Sequence, residues 1–355
     1  MATLFRRGTV RIVGAGKISQ LKYLPFLAER FLLENLHVLD SDKSLASRVS
    51  TAVLNGGTGP KNGAELPDCP PLLLILNHAH ADALDEHLTD GARVLIEKPV
   101  AWSTADAQRM FESASAAQAG VYPAFMRRHD SVTAALKQHL LTHAPPRRVA
   151  IRQFAGRARS SHSDIKPDRQ ARTQIKQELA ARWQARLTHL SPLGAKALRL
   201  LLELLIHDID LVLHLFGGPL ELVHLALGET EGTLHMAIEL TAADGLPIHI
   251  DCMPMFSAPW NWDHTIDTYF ADHRVSVAFS NPFHNENTGQ VQVYVDQCTN
   301  LPIADGLDPF SHMLGHFLDG ACTGADWTHQ QTDCLAGLDF VHQCEAELVA
   351  QGHGA

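Results

Sequence analysis

No apolar run in this sequence reaches the ~18–20 residues that a bilayer-spanning helix needs, so no membrane role is expected. The six cysteines (69, 252, 298, 322, 334 and 344) never fall into C-x-x-C spacing, which argues against a zinc ribbon or a disulfide framework. The opening residues, Met-Ala-Thr-Leu-Phe-Arg-Arg-Gly, have no signal-peptide apolar core, and the expected location is the cytoplasm. Prolines (18) and glycines (24) are numerous but scattered, so they mark ordinary turns rather than low complexity. Acid is nearly missing from residues 147–199, where thirteen Lys/Arg meet three acids, a net +10. The remainder, with 16 basic and 36 acidic residues, carries −20. An asymmetry of that size calls for a partner within the protein, in a sister subunit or in a ligand.

What is present begins with length. A chain of 355 residues with 45% hydrophobic content supports two domains with sizeable cores. Residues 9–19, Thr-Val-Arg-Ile-Val-Gly-Ala-Gly-Lys-Ile-Ser, read as a strand, a glycine turn and the start of a helix. Gly14 permits the tight turn. Gly16 lets the backbone N–H groups around Ala15, Lys17 and Ile18 approach a pyrophosphate at the helix N-terminus. Ser19 stands where a third small residue serves helix–strand packing. A second strand, 36–39, ends on Asp40, about 20 residues beyond the turn, where a carboxylate bonds ribose hydroxyls. Asp40 favours NAD by repelling a 2′-phosphate, while Lys43 and Arg48 keep NADP open.

Two more buried strands follow. Leu72–Leu76 ends on Asn77-His-Ala-His80, and Arg93–Ile96 ends on Glu97-Lys98-Pro99. Short apolar runs closed by turn residues are strands covered on both faces of a parallel sheet. Ligands sit beyond the carboxyl ends of such strands, which brings Asn77, His80, Glu97 and Lys98 to the cofactor side. Lys98 can polarise a substrate oxygen there; the competing reading is a lysine that snorkels to water. Ser103 with Asp106 forms a capping box for a helix to about Ala119, and Val121–Phe125 gives a further strand before Arg127 and Arg128. The alternation is that of a doubly wound parallel sheet.

Downstream, Ala197–Phe216 reads as one long apolar helix closed by Gly217-Gly218-Pro219. Glu203, His207 and Asp210 then share a face. Polar groups on so apolar a helix are costly unless partnered, so they face each other, a cleft or a ligand. His207 beside a carboxylate suits proton transfer near neutral pH. Two other readings compete, a satisfied core network and a metal pair on the Glu-x-x-x-His spacing. With no third ligand evident, no metal is expected.

The Gly14-Ala15-Gly16 turn, the Glu97-Lys98-Pro99 strand end and the Glu203-Leu-Leu-Ile-His207-Asp-Ile-Asp210 stretch, in this order, resemble the Gfo/Idh/MocA oxidoreductase family. The resemblance extends to Asp308-Pro-Phe, His316-Phe-Leu-Asp and Thr332-Asp333-Cys near the end of the chain. It implies a dinucleotide-binding Rossmann domain, residues 1–128, followed by an α/β domain, 129–355. The second domain would hold the substrate on an open, mainly antiparallel sheet, with its last helices returning to the first domain. The resemblance also implies roles: Lys98 holds the reacting oxygen, His207 acts as general acid/base and Glu203 completes a triad. Glu203 departs from the family's usual aspartate, and Leu205 from its usual glycine, which points to a different pocket floor. Asp210 would orient rather than react. A homodimer or homotetramer is the expected assembly.

From residue 220 to 295 the pattern turns to alternating strands with one wetter face. Trp260 and Trp262 are candidates for a sugar-stacking platform, with sheet packing the competing reading; His264 and Asp267 are further pocket candidates. Within the basic segment, Ile175, Leu179, Trp183 and Leu187 recur every four residues, a helix with arginines on its other faces. Its readings are a docked surface helix or intersubunit arm, or a site for an anionic substrate contacted by Arg157 and Arg159; Arg127, outside the segment, is a separate substrate candidate. Nucleic acid is not expected, since no reading module accompanies the arginines. The resulting expectation is an NAD(P)-dependent dehydrogenase or reductase of a small polyhydroxylated substrate. A regulator that binds the dinucleotide without turnover and a C=N reductase are the alternatives.

Overall fold

The computed structural model describes residues 9–31, 35–56, 70–76, 79–156, 165–255, 262–282, 289–295, 298–301, 303 and 308–354. They form two compact units. The first comprises 1–124 with 162–187 and 313–335; the second comprises 125–161, 188–312 and 336–355.

The first unit is built on a five-stranded sheet in the order β2-β1-β3-β4-β5, all parallel, with β1 Val10–Val13, β2 Leu36–Leu39, β3 Leu72–Ile75, β4 Arg93–Glu97 and β5 Gly120–Ala124. The two central strands are the most apolar. All four residues of β3, and Val94, Leu95 and Ile96 of β4, are at most 2% exposed, as a sheet covered on both faces requires. Helices follow β2, β3 and β4 at Lys43–Gly56, His80–His87 and Thr104–Ala116. The last opens as expected, with Ser103 Oγ accepting the Asp106 N–H at 3.1 Å. Residues 313–335 close the β5 edge: the Tyr122 ring meets Phe317 and Trp327 at 5.7 and 5.4 Å, and Gln331 donates to Val121 O at 2.8 Å.

The helix Arg169–Leu187 belongs to this unit, and its exposure rises and falls every four residues through Ile175, Leu179 and Trp183. Trp183 is buried and stacks on Trp102 at 4.1 Å, and Arg182 pairs with Asp82 at 2.8 Å. It is a docked surface helix with most of its arginines in water.

The second unit carries an eight-stranded sheet in the order β13-β12-β11-β10-β6-β9-β8-β7. The strands are β6 Arg148–Gly156, β7 Glu221–Thr230, β8 Thr233–Thr241, β9 Pro247–Met255, β10 Trp262–Tyr269, β11 Arg274–Ala278, β12 Gln290–Tyr294 and β13 Cys298–Leu301. Only the β6–β9 pair is parallel. Inward positions Val149, Ile151, Ile250, Cys252, His264 and Ile266 are buried, while their alternates Arg148, Arg152, Asp251 and Thr265 face outward.

One expectation needs correction. The stretch 197–216 is not a continuous α-helix. An α-helix Pro192–Leu200 passes into a π-helical turn, Leu201–Leu205, before α-helix resumes at Ile206–Phe216. The wider turn inserts a residue and shifts the phase, so Glu203 no longer shares a face with His207 and Asp210. Such π turns are often found at functional sites. The helix stops at Gly217, whose φ of 77° is a conformation that glycine adopts without strain.

Candidate active site

In the first unit, β1 runs into Gly14, whose φ of 110° turns the chain sharply. The turn is tied to the end of β2 by two bonds, Gly14 N–H to Leu39 O and Ala15 N–H to Asp40 Oδ2, both 2.8 Å. The other oxygen of Asp40 accepts the Asp42 N–H at 2.9 Å. The carboxylate expected to meet the ribose therefore also fixes the shape of the turn. Gly16 is exposed, and a Cβ built there would meet nothing within 4 Å among the described residues. Lys17 and Ile18 open the following helix, with Gln20 N–H already bonded to Gly16 O at 3.1 Å. Clear space over a glycine at a helix N-terminus is what a pyrophosphate requires. Ser19, at 1% exposure, packs inward as a small residue there should.

The end of β4 is anchored from the same helix. The Tyr23 hydroxyl, fully buried, donates to Glu97 Oε1 at 2.5 Å, and the Lys98 N–H donates to Glu97 Oε2 at 3.2 Å. Burial raises the Glu97 pKa above its ordinary value, while the Tyr23 bond and the Lys98 charge pull it back. Burial also pushes the Tyr23 hydroxyl well up, so it remains a donor. Lys98 follows at the rim, half-buried, joined to Pro99 by a cis peptide. His80 Nδ1 lies 2.9 Å from Val100 O, which ties the helix after β3 to the same loop. Asn77, Arg157, Arg159 and Trp260 lie outside the described residues.

In the second unit, His207 sits half-buried on the first turn of Ile206–Phe216, edge-on to Phe125 at 6.4 Å. The residues around it are largely committed. Asp210, 2% exposed, takes Arg128 in a fork: Nε to Oδ2 at 2.8 Å and Nη2 to Oδ1 at 2.5 Å. Asp208, fully buried, is 2.6 Å from His264 Nε2, and the His264 ring stacks on Phe279 at 4.5 Å.

Arg127 corrects an expectation. It is 2% exposed, paired with Asp130 and Ser280 O at 3.3 Å, with its guanidinium over Phe279 at 4.8 Å and Trp262 at 5.5 Å. Desolvation of a charge this deep is offset only by such partners, so Arg127 is architecture rather than a substrate contact. Trp262 packs against that cation and His264, which favours the sheet-packing reading. Glu203 is exposed on the π turn and accepts from Arg199 at 3.1 Å.

The structure thus assembles one cluster in each unit: Gly14, Ala15, Gly16 and Asp40 with Tyr23, Glu97 and Lys98 in the first, and His207 with Asp208, His264, Arg128 and Asp210 in the second. Tyr23 was missed because nothing local distinguishes a helical tyrosine. Asp208 was hidden by the attention that its neighbour His207 drew.

Residues 9–125 match the family model of the Gfo/Idh/MocA oxidoreductases, described as an oxidoreductase family with an NAD-binding Rossmann fold. Over those residues the chain is similar to the NAD-binding domain of that family. No curated protein matches it by sequence. Solved structures match across nearly the whole chain. A 3-ketoreductase from Actinomadura kijaniata, in complex with NADP, has a TM-score of 0.65 at 14% identity, over 96% of each chain. UDP-N-acetylglucosamine 3-dehydrogenase from Acidithiobacillus ferrooxidans has a TM-score of 0.65 at 16% identity, over 96% of this chain and 97% of that one. A dehydrogenase from Chromobacterium violaceum has a TM-score of 0.66 at 15% identity, over 99% and 97%. At such identities the likeness shows a shared fold along nearly the whole chain. No described helix is long and apolar enough to cross a membrane.

Proposed function

We propose that this protein transfers a hydride between NAD(P) and the carbinol or carbonyl carbon of a small polyhydroxylated, sugar- or cyclitol-like molecule. The observation that carries the reading is the first unit's paired arrangement. A glycine turn braced by Asp40 leaves space over Gly16 among the described residues, and a strand end anchored through Tyr23–Glu97 presents Lys98 at its rim. The nicotinamide, when bound, supplies or accepts the hydride.

The chain's own residues divide the rest of the work. The Lys98 ammonium bonds the substrate oxygen and stabilises charge that develops on it, an effect often worth a few kcal/mol in a site that excludes water. His207 takes the hydroxyl proton during oxidation and returns it during reduction. Its helix is held by Asp210–Arg128 and Asp208–His264, so the imidazole rests on a fixed frame. Glu203, bonded to Arg199 in solvent, has no part in this reading. The sugar-like substrate is in keeping with a fold shared with a 3-ketoreductase and a nucleotide-sugar 3-dehydrogenase.

The test is a fluorescence titration with NADH and NADPH, followed by a turnover screen on sugars, cyclitols and their keto forms. Saturable binding that Gly16→Trp abolishes supports the cofactor site, because the indole would fill the space that the pyrophosphate needs. Binding of neither cofactor below millimolar concentration sinks the proposal.

A further inference from the structure

A second cluster of titratable groups lies in the second unit, outside the residues given a role above. His139 and His143 occupy successive turns at the end of the helix Ser131–Thr142 and just beyond it, and their rings stack at 3.7 Å, nearly parallel. His273 approaches from the turn between β10 and β11. His139 Nε2 and His273 Nε2 are 2.8 Å apart, and one nitrogen from each of the three rings lies within 4.8 Å of the others.

We propose that His139, His143 and His273 form a transition-metal site, suited to Zn²⁺, that staples the helix end to the β10–β11 turn. Three imidazoles with a solvent-filled fourth position are a common zinc donor set. Nitrogens bound at about 2.0–2.1 Å stand about 3.3 Å apart in a tetrahedron. The present spacing, from 2.8 Å to at most 4.8 Å, brackets that value.

Two features orient the ligands. His273 Nδ1 is 2.7 Å from Asp272 Oδ1, the carboxylate–histidine arrangement that directs the opposite nitrogen toward a metal. His143 Nδ1 is 2.9 Å from His139 O, which leaves Nε2 as its ligating atom. Phe270 stacks on His273 at 4.3 Å and meets His139 at 5.4 Å, a rigid apolar floor beneath the cluster.

The test uses tag-free full-length protein titrated with Zn²⁺ in a calorimeter, with Co²⁺ absorption as a second readout. The expected result is one saturable equivalent, visible Co²⁺ ligand-field bands and a higher thermal midpoint with metal. His143→Ala, at an exposed position where folding is unaffected, should weaken binding at least about tenfold, and Asp272→Asn by about tenfold. His139→Ala should abolish it. Absence of saturable binding overturns the proposal. So does affinity equal to the parent's in both His143→Ala and His139→Ala, since the ion would then be held by others among the 22 histidines.

Discussion

Replacing Asp210 with alanine should destabilise the second unit severely, through the cation it leaves behind. Arg128 is 6% exposed and Asp210 2%, and Nε and Nη2 of the guanidinium both bond the carboxylate. Breaking a buried pair from one side costs about 3–5 kcal/mol, because a desolvated charge loses its counter-ion. With an m-value of roughly 3 kcal/mol/M in urea, the midpoint should fall by about 1–1.7 M. Far-UV circular dichroism across a urea series measures that shift. The companion variant is Asp210→Ala with Arg128→Met, which removes both charges. It should recover a large share of the loss, since replacing a buried ion pair by apolar side chains is often near neutral. A cost below about 1 kcal/mol for the single variant would show that the pair is hydrated and contributes as a surface pair does. A double variant less stable than the single would refute the argument outright.

Other consequences follow from the same geometry. Lys98→Ala and His207→Ala should each keep NAD(P)H affinity while turnover falls by about 10²–10⁴-fold; turnover like the parent's in either variant would remove that residue from the chemistry. Because burial raises the Glu97 pKa above its ordinary 4.5, the folded protein holds that proton more tightly than the unfolded chain does. Its contribution to stability is complete below about pH 4.5 and is lost as pH climbs through the folded value. Glu97→Gln should therefore gain stability over the parent as pH rises toward neutral and show no gain near pH 4; a difference independent of pH would contradict it. Under native conditions at pH 8, iodoacetamide should modify exposed Cys298 and spare Cys252 and Cys344. Burial pushes the Cys344 thiol up to about 12, and mass spectrometry that found Cys344 modified first would place its helix in solvent.

The first unit was legible because its strands obey one rule. Leu72–Ile75 and Val94–Ile96 are apolar at every position, Pro99 follows the end of the second, and Gly14 and Gly16 turn the chain after β1 for backbone reasons. The second unit defeats that rule at its middle. The neighbouring strands β6 and β10 both bury polar side chains, Gln153 on one and His264 and Thr268 on the other. Hydrophobic alternation does not register an inward-facing histidine. His264 is tolerated there only because Asp208 meets it from the helix Ile206–Phe216, a contact 56 residues distant in sequence. The same gap explains the misplaced Glu203, because the phase of a helix cannot be carried across a π turn that depends on tertiary packing. Arg127 was misjudged for a related reason: arginine is read as a surface cation, yet here Asp130, Ser280 and two aromatic rings enclose it. The misses at His264 and Arg127 involve buried polar groups that partners distant in sequence, Asp208 and Ser280, stabilise. Four such groups, Arg127, Asp208, Asp210 and His264, surround the segment that presents His207. A local pattern therefore fails where the frame of the proposed site is built, since that frame consists of long-range polar pairs that replace apolar packing.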